Sequence, residues 1–227
     1  MLARPAPTPP LPLLWGESRS LLALHLGRPR TTTREAVGQG RPVLVLPGFL
    51  SNDRSTRLLR GALVEAGFDA HGWAMGRNMG VQADTIDRVM RRVDAIVAVN
   101  NAPLTLVGWS LGGLIAREYA KRDPGRIARV VTLGSPFSGD PRANRVWRLY
   151  EMVAGHPVDA PPIACALAEK PPVDTVALWS RNDGVVGHRP ARGETGETDR
   201  TIELDCTHIG FAVDRRAIDA VIEAVSF

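Results

Sequence analysis

Five consecutive residues, Gly108-Trp109-Ser110-Leu111-Gly112, set a serine between two glycines in the pattern G-x-S-x-G. Serine is a weak nucleophile at neutral pH. To attack a carbonyl it needs a base that takes its proton and a carboxylate that orients the base. The spacing suits a sharp turn from strand to helix, which lifts the hydroxyl clear and leaves no room for side chains at either glycine. The N–H groups opening the helix would then face developing negative charge. Five histidines, His25, His71, His156, His188 and His208, are available as the base. A G-x-S-x-G run can also be a turn needed only for close packing, so its flanks decide.

Those flanks are a strand over 104–107 and a helix over 110–122, the latter stopped by Asp123-Pro124-Gly125. The same alternation fills the chain beyond residue 40. Strands are predicted over 42–46, 68–73, 127–133, 173–179 and 202–204, with helices over 54–66, 82–99 and 215–225. Asp53 is the expected cap of the first of these helices. Short apolar runs alternating with helical stripes imply an α/β fold with a mostly parallel sheet of about six strands. About forty residues between the fourth and fifth strands fall outside the alternation, with the insertion itself over about 138–172. With a helix over 143–153 and the prolines Pro157, Pro161, Pro162, Pro171 and Pro172, they read as a short cap insertion.

Residues 1–40 form a separate N-terminal stretch before the 41–227 domain. Pro5, Pro7, Pro9, Pro10 and Pro12 favour an extended arm, followed by a short helix over 16–27 with Leu21, Leu22 and Leu24 turned inward. Glu17 and Arg19 spoil a signal-peptide pattern, and the apolar run 21–26 is far too short to span a membrane. That points to the cytoplasm. Of 227 residues, 44% are hydrophobic and 23% charged, which excludes wholesale disorder. The net charge of +4 comes from arginines scattered beside acids, as Arg117 beside Glu118 and Arg122 beside Asp123. No basic stripe or reader motif supports a nucleic-acid partner. Cys165 and Cys206 are the two cysteines, with free thiols the default in a cytoplasmic chain. No metal-ligand spacing is present, and no cofactor is called for.

The segments Val45-Leu46-Pro47-Gly48-Phe49, Gly108 to Gly113 (GWSLGG) and Leu133-Gly134-Ser135-Pro136-Phe137 together resemble the α/β-hydrolases, in a small lipase/esterase-like branch. The resemblance runs from about residue 40 to the C-terminus. It implies a triad in the chain order serine, acid, histidine. His208 then stands where the base belongs, after the last short strand, with His188 next in order. Asp183, in the turn after the fifth strand, stands where the acid belongs. Asp140 is the alternative after the preceding strand, and Asp205 reads as closing a strand. The oxyanion hole would use the N–H groups of Leu111 and Phe49, with Leu50 as the alternative to Phe49. Pro47 stands where many lipases have histidine. Trp109, Phe137, Trp147 and Tyr150 are the candidate lining of an acyl pocket, and Asn78 and Arg77 carry no assigned role. The implied activity is hydrolysis of a small-molecule or lipid-like carboxylic ester through an acyl-enzyme on Ser110. An acyltransferase on the same triad and a non-catalytic binding protein are the other readings.

Overall fold

The structure is a computed structural model that describes residues 8–26 and 36–226. Pro5 and Pro7 of the expected arm lie outside the described residues. Six strands form one sheet: β1 Pro42–Leu46, β2 Asp69–Gly72, β3 Leu104–Trp109, β4 Ile127–Leu133, β5 Asp174–Ser180 and β6 Arg200–Leu204. Their order is β2-β1-β3-β4-β5-β6, and every neighbouring pair is parallel. Among the described residues eight α-helices accompany it: α1 Leu14–Leu26, α2 Arg57–Glu65, α3 Thr85–Asn100, α4 Leu111–Arg122, α5 Trp147–Ala154, α6 His188–Arg192, α7 Gly210–Val213 and α8 Arg215–Ser226.

Strand β1 shows why the sheet is covered on both faces. All five of its residues are buried, as expected for a parallel strand with helices above and below. Alternation sends Val43 and Val45 to one face, where they join Leu59 and Leu63 of α2 and Ile218 and Val221 of α8. Leu44 and Leu46 go to the other, beside Val89 and Val93 of α3 and Ile115 and Tyr119 of α4. Because β1 leads outward to β2 on one side while β3 lies on its other side, the strand order reverses between β1 and β3. The crevice beyond the carboxyl ends of such a pair is the usual ligand site of an open α/β sheet. Ser110 stands at the end of β3 and Pro47 at the end of β1.

Two expectations about helices are corrected. Asp53 does not cap α2, which begins at Arg57. Its two carboxylate oxygens accept the N–H groups of Trp73 and Ala74, each at 3.0 Å, and so tie the loop after β1 to the end of β2. In α1, Leu21 and Leu22 point outward, 46% and 62% exposed, and Leu24 is half-buried. The face against the body instead carries Glu17 and Ser20, whose polar partners outweigh the apolar pattern. The short helices α6 and α7 carry no sequence signal of their own.

Candidate active site

Ser110 follows β3 with φ 54° and ψ −121°, a conformation that L side chains adopt only under constraint. The constraint is backbone. Its N–H donates to Leu133 O of β4 at 2.8 Å, and its carbonyl accepts from Gly113 N–H at 2.9 Å. A Cβ at Gly108 would run into the backbone of Gly113, and one at Gly112 into the Leu46 carbonyl. The two glycines of the motif are therefore required by the close approach of α4 to β3 and β1.

Asp183, 2% exposed, sits in the turn after β5. Its Oδ1 accepts the N–H groups of Val185 and Val186 at 2.8 and 2.7 Å, which leaves Oδ2 to meet His208 Nδ1 at 2.7 Å. The pair lies over the end of β4, one residue beyond the carbonyl that binds Ser110: a Cβ at Gly134 would fall 2.9 Å from Asp183 Oδ2 and 3.2 Å from His208 Nδ1. Trp109, next to Ser110, donates its indole N–H to His208 O at 3.0 Å. Burial alone would pull the imidazole pKa down. The charge and hydrogen bond of Asp183, with the charge of Glu17 behind them, outweigh burial and hold it above the ordinary value. The alternative acid Asp140 instead accepts from Arg142 N–H. His188, the alternative base, stands at the start of α6 against Trp179, its pKa lowered by burial and by Arg181, Arg189 and Arg192.

The loop after β1 faces Ser110, with Gly48 packed close to the serine Cβ. Its shape is set by Asn78, 1% exposed, a residue with no motif of its own. Asn78 Nδ2 donates to Pro47 O at 2.8 Å, its carbonyl accepts Leu50 N–H at 2.7 Å, and its N–H donates to Ser51 O at 2.8 Å. Arg77 adds a bond to Leu50 O at 2.7 Å. The Leu50 N–H is thus spent inside the loop and is not an alternative donor. Among the described residues the Phe49 N–H has no such partner. The N–H of Leu111, the first of α4, has no carbonyl a turn behind it.

A cleft with about 780 Å³ of empty space, part of it open solvent, reaches Ser110, Leu111 and Phe49. Its walls are almost wholly apolar, with Leu114 and Ile115 from α4, Trp147 and Tyr150 from α5, and Ile163 and Leu167 from the insertion between β4 and β5. Tyr150 packs its ring 5.3 Å from that of Phe49, and its hydroxyl accepts Val81 N–H at 3.2 Å. Trp147 and Tyr150 thus border this cavity beside Ser110. Trp109 and Phe137 do not line this cavity. Trp109 belongs to the core on the opposite face of the sheet, along with Val43 and Val45, and Phe137, 1% exposed, is covered by the Arg117 guanidinium at 4.1 Å. Arg117 donates to the carbonyls of Leu167, Ala168, Glu169 and Glu197, fastening the end of the insertion to α4. Cys165 is exposed and Cys206 buried, and both are free thiols.

Residues 42–158, more than half of the chain, match the family model described as alpha/beta hydrolase fold. The chain belongs to that family. Among curated proteins it is 32% identical over 118 residues to a pimeloyl-[acyl-carrier protein] methyl ester esterase of Shewanella woodyi, a match covering 50% of this chain and 43% of that protein. It is also 32% identical over 102 residues to the biotin biosynthesis bifunctional protein BioHC of Teredinibacter turnerae, covering 42% of this chain and 17% of that one. The match spans less than half the length of these relatives. Among solved structures, a metagenome-derived lipolytic enzyme of the LipS and LipT pair superposes with a TM-score of 0.60 at 18% identity, covering 86% of this chain and 96% of that one. Polyneuridine aldehyde esterase superposes at 0.59 and 14%, covering 83% and 100%. At such identities the likeness is one of fold. Among the described residues no helix is long and apolar enough to cross a membrane.

Proposed function

We propose that this α/β-hydrolase cleaves carboxylic esters through an acyl-enzyme on Ser110, with His208 as base and Asp183 as the carboxylate that orients it. The observation that carries the reading is the buried Asp183–His208 hydrogen bond of 2.7 Å, standing over the strand end that also binds the Ser110 N–H. In the first half-reaction His208 takes the Ser110 proton as the hydroxyl oxygen adds to the ester carbonyl, then returns it to the departing alcohol. The N–H groups of Leu111 and Phe49 receive the developing oxyanion. In the second half-reaction water, deprotonated by the same ring, releases the acid. Asp183 stays ionised throughout and keeps Nδ1 protonated, so that the other ring nitrogen does the proton transfer.

The apolar cavity supports an acyl group entering under the β4–β5 insertion, which acts as a cap, with Trp147 and Tyr150 as walls. The relatives named as methyl ester esterases make methanol a leaving group worth including. The test is hydrolysis of p-nitrophenyl and methyl esters from acetate to palmitate by the parent and by Ser110→Ala, alongside labelling with a fluorophosphonate. Turnover and label should both vanish in the folded variant. Turnover that survives it at the parental rate would end the reading.

A further inference from the structure

Glu17 is a carboxylate without a motif, on a helix outside the sheet, yet it is 6% exposed. Its Oε1 accepts the N–H of His208 at 2.7 Å and that of Gly184 at 3.1 Å, and its Oε2 accepts the N–H of Ile209 at 2.9 Å. Gly184 adjoins Asp183. One side chain near the N-terminus thus joins the loop of the acid to the loop of the base. Neighbours of Glu17 on α1, and Leu13 just before it, repeat the contact. Ser20 Oγ lies 2.8 Å from Thr207 Oγ1, Gly16 packs on the Thr207 methyl group, and the Leu13 backbone lies against Gly184.

Among the described residues no cation pairs with Glu17. Backbone N–H groups alone compensate its burial. A carboxylate offers two acceptor oxygens, and its bonds to N–H groups are stronger than those of a neutral acceptor. A neutral amide could accept at one oxygen only and would aim an N–H at the others. The arrangement also leaves a negative charge beside the backbone of the residue that must become positive during catalysis.

We propose that Glu17 is a positioning residue of the Asp183–His208 pair: it holds the two loops in register and its charge favours the imidazolium that forms when Ser110 gives up its proton. The proposal rests on the esterase reading above. The charged groups that act on the ring are Asp183, bonded to it from the loop after β5, and Glu17 of α1, bonded to the His208 backbone N–H, while Trp109 and Gly134 bring no charge from β3 and β4. On the ring's own segment, Asp205 and Asp214 act with Asp183 and Glu17 on Cys206, whose thiol is pushed up chiefly by burial.

The experiment compares Glu17→Gln and Glu17→Asp with the parent in the full chain, measuring kcat and KM for a soluble short-chain p-nitrophenyl ester across pH, with fluorophosphonate titration of Ser110 to count competent sites. Glu17→Gln should lose about 10- to 100-fold in kcat, the range of partners that orient a functional side chain, with KM changed less than about twofold. The acid limb of its profile should move down by on the order of half a pH unit, because a negative charge near the ring is gone. Glu17→Asp keeps the charge and should keep the limb, with an intermediate rate. A folded Glu17→Gln protein with the parental acid limb overturns the proposal, whatever its rate, since the loss is then structural. If Glu17→Gln does not fold, Glu17→Asp decides. Its side chain is one methylene too short to span both loops, so parental kcat overturns the proposal, and a loss of at least about fivefold at unchanged KM supports it. Ser110→Ala as active as the parent would remove the esterase reading and this proposal together, whereas either result at Glu17 leaves that reading standing.

Discussion

Removing the Asn78 side chain tests whether the loop after β1 supplies an oxyanion donor. Asn78→Ala takes the partner from two groups, the buried Pro47 carbonyl, bonded at 2.8 Å, and the half-buried Gly80 N–H, bonded at 3.2 Å. Each orphaned buried group costs about 1–3 kcal/mol, so the variant should lose roughly 2–4 kcal/mol of stability. In a chain of this length that is a fall in Tm of about 5–15 °C. The effect on rate follows from position. Phe49 lies between Pro47 and Leu50, and both are tied to Asn78. One oxyanion donor is worth about 10²–10³ in rate, and it is lost gradually as the N–H drifts from its place by more than about 0.5 Å. Because the backbone bonds of Asn78 to Leu50 and Ser51 survive, a partial loss of about 10- to 100-fold in kcat is expected, with little change in KM. Arg77→Ala removes only the exposed bond to Leu50 O and should change kcat less than about threefold. The assay is steady-state hydrolysis well below the new Tm, normalised to the fraction of Ser110 that a fluorophosphonate labels. An Asn78→Ala protein that melts earlier as expected but turns over at the parental rate per labelled site would refute the argument and move the second donor away from Phe49.

Asp183→Asn should keep the fold and lose about 10³–10⁴ in kcat, through the wrong ring tautomer, while Asp140→Asn stays within a few-fold; the reverse order in parallel assays would transfer the acid to the loop after β4. Because the His208 pKa is held above its ordinary value, kcat/KM should rise with pH along a limb centred above about 6.5, and a limb below that would deny the coupling to Asp183. Stability has the opposite sign: with a raised folded-state pKa, the contribution of this group is fully present below the unfolded value and is lost as pH rises through the folded one, which urea melts across that window would register. In an acyl series each added methylene should gain about fourfold in kcat/KM, from roughly 0.8 kcal/mol per buried CH₂, up to roughly octanoate, with emulsified long-chain triglyceride a poor substrate. A flat series would mean that the cavity beside Leu114 and Ile163 does not take the acyl chain.

The parts of this fold that could be read from sequence are those where a residue type is itself the cause. The run 42–46 is buried because it is apolar on both faces, and the glycines around Ser110 are there because a Cβ would strike backbone. Asp183 and His208 are expected as a pair only from chain order and position within a resemblance, and the structure sets them 2.7 Å apart. At Asp53 and on α1 the sequence misleads because a carboxylate has backbone groups as its partners. Asp53 resembles a helix cap until Trp73 and Ala74, twenty residues on, take both its oxygens. Leu21 and Leu22 look like an inward face, yet Glu17 and Ser20 determine which way α1 turns.

Asn78 and Glu17 follow the same rule. Every residue except proline carries an N–H and every residue a carbonyl, so a side chain that binds main chain leaves no complementary residue elsewhere in the sequence to betray it. A nucleophile, a base and an acid must each be a particular side chain, and their types show. The residues that hold the loops of such a triad in place bind atoms common to all residues, and only the folded chain reveals which they are. In the mechanism proposed for this protein that division falls between Ser110, Asp183 and His208 on one side and Glu17 and Asn78 on the other. It also explains why an N-terminal helix that reads as a peripheral appendage ends with its one buried carboxylate against the loops of both Asp183 and His208.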